Sequence, residues 1–461
     1  MNAPIHSAIA LDLGTTSIKA GVLDSDGELG NITALPAPKI AVNGGHYESD
    51  ATDYAEMVEQ ALNDSVHQAS DCKTLGMCSQ RSSFLLWEAA TGRPVTPLIS
   101  WQDTRGAASI EALRANEKNI RNLAGLPLTP YYFAPKLRVV LLENPGWRIR
   151  LEQGELLAGT LDTFLIWRWT GGKIYVTDAS MAARTLLIGI SDLQWSPTLC
   201  DLFGIPLHIL PEIKTSTGMN IRLDNGLALQ ASVGDQSAAL FASVREDQPE
   251  ALVNLGTGCF VVRYLPEGKT ASNGYLQTLV YQDRARKVHF AIEGTLNSIA
   301  AALAPCPIDE CRVDDLGRDD IFCTAEPSGL GAPYFRGDIG IRFSRPVDHL
   351  SKHRIAVLML EAVIFRASRM LEEIHRAYAI DSVYLSGGLS ELICLQHGIA
   401  RCVPFDVYRL KQTESSLHGA ALLAAGMQCR RDGTRVGVTG EVMVLQEKYR
   451  RWKAWLDRLL A

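Results

Sequence analysis

Asp12 closes a short apolar run at residues 7–12 and is followed by Gly14-Thr15-Thr16-Ser17 and then Lys19. A glycine–threonine turn between two strands lets backbone N–H groups come close to phosphate oxygens. Thr15, Thr16 and Ser17 add hydroxyl donors, Lys19 adds a positive charge, and Asp12 is placed to hold the water shell of a Mg²⁺ ion. Phosphoryl transfer consists mostly of positioning and charge neutralisation, and these are the parts it uses. The pattern returns half a chain later in Leu252-Val253-Asn254-Leu255-Gly256-Thr257-Gly258, with Asn254 where Asp12 stood. One Gly-Thr turn is a modest signal. A second, with strand–turn–strand order kept, points to duplicated domains that each grip phosphate.

A phosphoryl acceptor must also lose a hydroxyl proton. Gly234-Asp235-Gln236 follows the apolar Val233 and precedes Ser237-Ala238-Ala239-Leu240-Phe241. An aspartate there is either the N-cap of the following helix or a general base, and one residue can be both. On spacing alone the cap is the commoner outcome.

The elements that must carry these residues alternate between strand and helix, which predicts an α/β protein. Ser17 to Leu23 reads as the strand leaving the first turn, and Asp24-Ser25-Asp26-Gly27 as a plain polar turn beyond it. Thr160 to Trp169 and Ile355 to Ala377 have helical periodicity. In the tail, Leu445, Tyr449, Trp452, Leu456 and Leu459 fall on one helical face, and the basic Lys448, Arg450, Arg451 and Lys453 are expected on the solvated one. The polar stretch Arg245-Glu246-Asp247-Gln248-Pro249 marks a boundary near Val244. The expected domains are residues 1–244, with the first turn and the candidate base, and 245–461, with the second turn.

At 461 residues the chain exceeds one ordinary core. Hydrophobic content of 47% with 21% charged residues fits a soluble globular protein, and a net charge of −6 argues against a nucleic-acid partner. No run is apolar enough for a membrane span, and Met1 to Ala8 lacks the regions of a secretory signal, so the expected location is cytoplasmic. The ten cysteines are scattered, and Cys306, Cys311 and Cys323 match no common zinc spacing; free thiols in a reducing compartment are expected.

The motifs D-L-G-T-T-S-I-K, S-Q-R-S-S-F-L-L-W-E, W-Q-D-T-R, V-G-D-Q-S-A-A-L-F, N-L-G-T-G-C-F, A-I-E-G, G-L-G-A-P-Y and S-G-G-L occur here in an order that resembles the FGGY carbohydrate kinases, most closely the glycerol kinase branch. The resemblance runs from about residue 7 to 426. It implies two ribonuclease H-like domains of the actin and sugar-kinase superfamily, with MgATP and a small polyol or sugar meeting between them. It implies that Asp235 is the general base and that Asp12 acts in the magnesium sphere. Thr15, Thr16, Ser17 and Lys19 would face the transferred phosphate, while Gly256, Thr257 and Gly388 would hold the nucleotide. Arg81, Ser82, Trp101, Tyr131, Gln236 and Phe260 fall at positions that line the acceptor pocket in that branch. Arg and Gln suit hydroxyl groups, and aromatic rings suit a carbon backbone.

Three departures stand out. Ser82 follows Arg81 where the branch has a glutamate, which removes a charged hydrogen-bond acceptor and argues against plain glycerol as substrate. On the nucleotide side the chain has Ala300, Ala304 and Leu392 in place of a glycine, a glutamine and an asparagine. The stretch from Ala304 to Pro327 is shorter than its counterpart by about a helix. The expected activity is ATP-dependent phosphorylation of a polyol or sugar, and a homodimer is the assembly to expect of a soluble enzyme of this size. The alternative, motivated by the altered nucleotide side, is a kinase fold that senses sugar or serves as an assembly subunit without catalysis.

Overall fold

The computed structural model describes residues 6–429, 432–438 and 441–461. The chain divides into two compact units. The first is Met1–Ala242 with Thr278–His289 and Glu414–Arg430; the second is Ser243–Gln277 with Phe290–Thr413 and Arg431–Ala461. The chain therefore does not part once at residue 244: two later segments return to the first unit.

The first unit is built on a six-stranded mixed sheet. Its strands are β1 (His6–Leu13), β2 (Ser17–Asp24), β3 (Leu29–Pro36), β4 (Thr74–Ser79), β5 (Thr217–Arg222) and β6 (Ala228–Gly234), in the order β5-β6-β4-β1-β2-β3. The central strands β1, β4 and β6 run parallel, and Ile9, Leu11, Leu75, Met77, Leu229 and Val233 are fully buried. Strands covered on both faces require such apolar runs. On one face lies the helix Ala51–Gln68, whose N-terminus is capped by the Asp50 carboxylate accepting from the Thr52 and Asp53 N–H groups. Tyr54, Ala55, Val58, Ala61 and Leu62 form its buried stripe at helical spacing. The helix Ser415–Ala425, from near the end of the chain, also packs on β1, β4 and β6. Its fit is tight: a side chain on Gly76 would lie 2.2 Å from the Ala420 carbonyl oxygen.

A second, five-stranded sheet in this unit includes Phe84–Glu88, Leu98–Ile99 and Leu156–Thr160. Its far face and the helix Phe133–Glu143 share a core of Phe84, Leu86, Phe133, Leu137, Leu187 and Phe203. The expected helix after Thr160 is present as Leu161–Trp169.

The second unit repeats the order of the first. The strands of its sheet are β7 (Glu250–Leu255), β8 (Cys259–Tyr264), β9 (Leu276–Gln282), β10 (Val288–Leu296), β11 (Ser382–Ser386), β12 (Asp406–Leu410) and β13 (Gly433–Arg435), arranged β9-β10-β8-β7-β11-β12-β13; β9 from Thr278 onward and β10 up to His289 fall in the segment counted with the first unit. Again β7, β11 and β12 are parallel, and β7 and β8 form the antiparallel hairpin that carries the Gly-Thr turn. The 26-residue helix Lys352–Ala377 runs through the core. The tail helix Val442–Leu460 buries Leu445, Tyr449, Trp452 and Leu456 as its periodicity predicts. Lys448 departs from its expected place on the solvated face. It lies one turn from Leu445 and is buried, with its ammonium on the Glu361 carboxylate, which also accepts from Gly317 N–H.

The ten cysteines are all free thiols. Among the described residues no helix is long and apolar enough to cross a membrane.

Candidate active site

In the first unit the candidate residues gather because three parallel strands end together. Asp12 near the end of β1 is in register with Cys78 on β4, and Ser79 at the end of β4 is in register with Gly234 at the end of β6. The segments that follow these strands are Gly14–Ser17, Gln80–Ser82 and Asp235–Gln236. The carboxyl ends of parallel strands are where α/β sheets bind ligands, since the chain must leave the sheet there.

The first turn is tight. Gly14 N–H donates to the Ser17 carbonyl at 3.1 Å, and a Cβ on Gly14 would lie 2.7 Å from that same oxygen, so glycine is required. Tyr54 Oη and Gln80 Nε2 both donate to the Gly14 carbonyl, at 2.7 and 3.3 Å. Thr15 Oγ1 donates to Gln80 Oε1 and accepts from Trp101 Nε1 at 3.0 Å, while Thr16 is exposed. Lys19 on β2 is paired with Glu414 at 2.5 Å.

Asp235 is the first residue of the helix Asp235–Ser243, and its Oδ1 accepts from Gln236 N–H at 2.7 Å. Arg81 lies beside it, with Nε 3.7 Å from Oδ1 and Nη2 bonded to Gln236 Oε1. The backbone before Asp235 is fixed by a buried relay: Gly234 N–H donates to Ser180 Oγ at 2.9 Å, and Ser180 Oγ donates to Asp178, which also accepts from Ser216 Oγ. Burial raises the pKa of Asp235, against the pull of the Arg81 guanidinium. Asp12 is raised further, to about 7, by loss of hydration and then by the negative charge of Asp235; the Cys78 thiol and Lys19 oppose this. The charge of Asp235 thus reaches Asp12, and the two carboxyls stand at the ends of strands of one sheet.

Trp101 and Tyr131 are 40% and 46% exposed, so their rings are open to solvent. Ser82 differs from its expectation. It is buried, takes a left-handed backbone with φ 64°, and its Oγ donates to the Arg184 carbonyl at 2.8 Å. Its hydroxyl is thus spent inside the protein. Sequence reasoning missed Gln80, Tyr54, Arg184 and Glu414. Gln80 stood inside the motif S-Q-R, but the other three reach the turn or the acid only through the fold.

In the second unit the Gly256-Thr257 turn and Gly387-Gly388 follow the adjacent parallel strands β7 and β11, where Asn254 is in register with Ser386. Gly256 N–H donates to the Gly258 carbonyl at 2.9 Å, and the Thr257 carbonyl accepts from Ala300 N–H at the start of the short helix Ile299–Leu303. Gly387 has φ 86°, and a Cβ there would lie 2.5 Å from the Leu255 carbonyl oxygen. Gly388 is exposed with nothing within 4 Å of a Cβ position, so its backbone is open to a ligand. Phe260 is half-buried on β8, opposite Asn254 and Thr295. Ala304 is exposed, and Leu392 packs against the core of the unit. The shortened stretch from Ala304 to Pro327 folds as two single-turn 3₁₀ helices, Ile308–Glu310 and Val313–Asp315, and the two-residue strand Cys323–Thr324.

Comparison with known proteins agrees over both units. Residues 7–252 match the N-terminal domain of the FGGY family of carbohydrate kinases, and residues 251–427 match its C-terminal domain. A glycerol kinase of Saccharolobus islandicus (strain M.16.27) is 32% identical over 450 residues, covering 92% of this chain and 89% of that protein. Glycerol kinase 2 of Streptomyces coelicolor is 30% identical, covering 98% and 92%. Among solved structures, Plasmodium falciparum glycerol kinase with ADP has a TM-score of 0.86 at 22% identity, and each chain is covered to 98%. The xylulose kinase of Rhodospirillum rubrum has a TM-score of 0.81 at 18% identity, with 98% of each chain covered. These two show the fold, two α/β domains, and the match along both halves of the sequence shows the lineage: the chain belongs to the FGGY family of carbohydrate kinases.

Proposed function

We propose that this kinase transfers the γ-phosphoryl group of ATP to a hydroxyl of a small polyol or sugar, with Asp235 as general base. The observation that carries the reading is the pairing of Asp235 with Arg81 and Gln236 at the ends of β4 and β6, beside Asp12 and the Gly14 turn. Arg81 and Gln236 donate to acceptor oxygens, and Trp101 and Tyr131 cover its carbons. Asp235 takes the hydroxyl proton as the oxygen attacks phosphorus; the bond to the ADP oxygen breaks, giving the phosphate ester, ADP and one proton. The N–H groups and hydroxyls of Thr15, Thr16 and Ser17, with Lys19, meet the charge on the transferred group.

On the donor side, the open backbone at Gly256 and Gly388 and the exposed Thr257 suit nucleotide phosphates. The ADP in the P. falciparum structure supports a nucleotide there. For Mg²⁺ the donor set fits: Asp12 offers a hard carboxylate oxygen beside a second carboxylate. Among the described residues no group of three or more His, Cys, Asp or Glu stands ready to hold a metal alone. Asp12 would help hold the ion, and the ion would neutralise phosphate charge.

The acceptor is larger than glycerol. Ser82 supplies no charged acceptor and keeps its own hydroxyl inside the protein, which leaves Arg81 without a neighbouring acid from that loop. Release of ADP measured against a panel of glycerol, tetritols, pentitols, ketoses and aldoses tests this. Turnover of a larger acceptor at tenfold or more the kcat/KM of glycerol is expected (about 1.4 kcal/mol of discrimination). Preference for glycerol refutes the substrate assignment, and no turnover of any acceptor refutes the kinase reading.

A further inference from the structure

Lys136 is fully buried on the helix Phe133–Glu143, yet among the described residues it forms no ion pair. Its Nζ donates instead to two backbone carbonyls, Ser82 at 2.9 Å and Ser100 at 2.7 Å, and stands 5.6 Å from the centre of the Phe84 ring. Each carbonyl belongs to the residue next to a candidate acceptor side chain: Arg81 precedes Ser82, and Trp101 follows Ser100. The two loops leave paired strands, since Phe84 is in register with Ile99. They are further tied by Trp101 N–H donating to Ser83 Oγ at 2.9 Å, and Ser83 Oγ in turn donates to Gln80 Oε1. The helix that carries Lys136 begins two residues after Tyr131, and its Ala134 N–H donates to the Thr185 carbonyl beside Arg184.

A buried ammonium is an expensive way to hold two loops. Loss of hydration pulls its pKa down to about 7, with Asp103 resisting and Arg105 assisting the fall. An apolar side chain of the same length would avoid that penalty but leave the Ser82 and Ser100 carbonyls without this donor, so the two costs oppose each other and stability alone gives no decisive reason for lysine here. Positioning gives one, because charge-assisted bonds to carbonyls are directional and short.

We propose that Lys136 is the positioning residue of the acceptor site: it joins the backbone bearing Arg81 to the backbone bearing Trp101 and anchors both to the helix that follows Tyr131. This rests on assigning those three side chains to the acceptor. The side chain itself touches no substrate. It fixes the spacing of groups that do, where a displacement of an ångström is enough to weaken binding and catalysis.

The test is Lys136→Met in the full chain, read by steady-state kinetics and by amide hydrogen exchange. The acceptor is whichever compound the wild type turns over best. The expected result is an acceptor KM raised about tenfold or more with the KM for MgATP within twofold. Amide exchange should quicken in residues 80–84 and 98–103, and remain unchanged in the helix Lys352–Ala377. A folded variant with wild-type acceptor KM and wild-type exchange in both loops overturns the proposal, as does an equal loss for both substrates. If Lys136→Met shows no cooperative unfolding, Lys136→Gln, too short to reach both carbonyls, is judged by the same readouts. A wild-type acceptor KM in it is equally fatal. Should the wild type phosphorylate no acceptor, the kinase reading fails by that measurement, and the exchange data still decide whether Lys136 holds the loops.

Discussion

Replacing Asp235 by asparagine removes one proton acceptor and one negative charge while leaving the shape of the site almost unchanged. The amide Oδ1 can still accept from Gln236 N–H, now at 2.7 Å, and Arg81 keeps its bond to Gln236 when its carboxylate neighbour at 3.7 Å is neutralised. The fold therefore has no reason to fail. Burial raises the pKa of Asp235, so its charged form is disfavoured in the folded protein, and the neutral variant should melt at the same temperature or slightly higher. Catalysis should suffer instead. A positioned general base contributes about 10² to 10⁴ in rate, so kcat for Asp235→Asn should fall by at least about a hundredfold, with acceptor KM changed only a few-fold. The acid limb of the pH profile supplies a second signature. A base must be deprotonated, so wild-type kcat/KM should rise with pH through a limb displaced above the ordinary aspartate value of about 4. That limb should be lost in the residual activity of the variant. The assay is coupled ADP release between pH 4 and 9, with thermal unfolding as the control. A folded variant whose kcat stays within tenfold of wild type would refute the assignment of Asp235.

Asp12→Asn should be inactive yet more stable when no ligand or metal is present. A carboxyl raised from 3.8 to about 7 penalises the folded state above pH 7 by at most about 4 kcal/mol, less because the side chain keeps some contact with water. The gain over wild type, followed by urea unfolding in EDTA, should be full above pH 7 and fade as pH falls toward 4; a gain that grows on acidification would contradict the linkage. Gly387→Ala should lower stability by about 1–3 kcal/mol and weaken MgADP binding, because its φ is 86° and its Cβ would meet the Leu255 carbonyl oxygen. Gly388→Ala, with open space around it, should unfold like wild type, and calorimetric titration with MgADP checks both. Trp101→Phe removes the indole bond to Thr15 Oγ1 and should raise acceptor KM by up to about tenfold while leaving the melting temperature within a degree or two; no change in KM would remove Trp101 from the site.

What could be read in the sequence was local. The two Gly-Thr turns are short contiguous patterns, and the structure sets both in hairpins beside parallel strands in the same sheet order. The tail helix followed from the spacing of Leu445, Tyr449, Trp452 and Leu456 alone. Lys448 shares that face, one turn from Leu445, and its burial needed the partner Glu361, which lies on another helix. Ser82 was judged by its chemistry, but its place is set by a left-handed backbone and a bond to Arg184, neither of which a residue type announces. Lys19 was assigned to phosphate, yet it also pairs with Glu414 almost four hundred residues away, a contact that only the return of the chain to the first unit creates.

That return has a consequence for how the protein is made. The helix Ser415–Ala425 closes the sheet that contains β1, with Leu417, Ala420 and Ala421 fully buried and Gly419 and Gly76 admitting no side chain. While the ribosome is still working on the second half, the amino-terminal sheet has an uncovered apolar face and lacks Glu414. A fragment ending at residue 244 should be sticky and poorly soluble, and adding the segment 414–430 in trans or by a linker should rescue it. The first unit is thus completed only by a segment made late in synthesis.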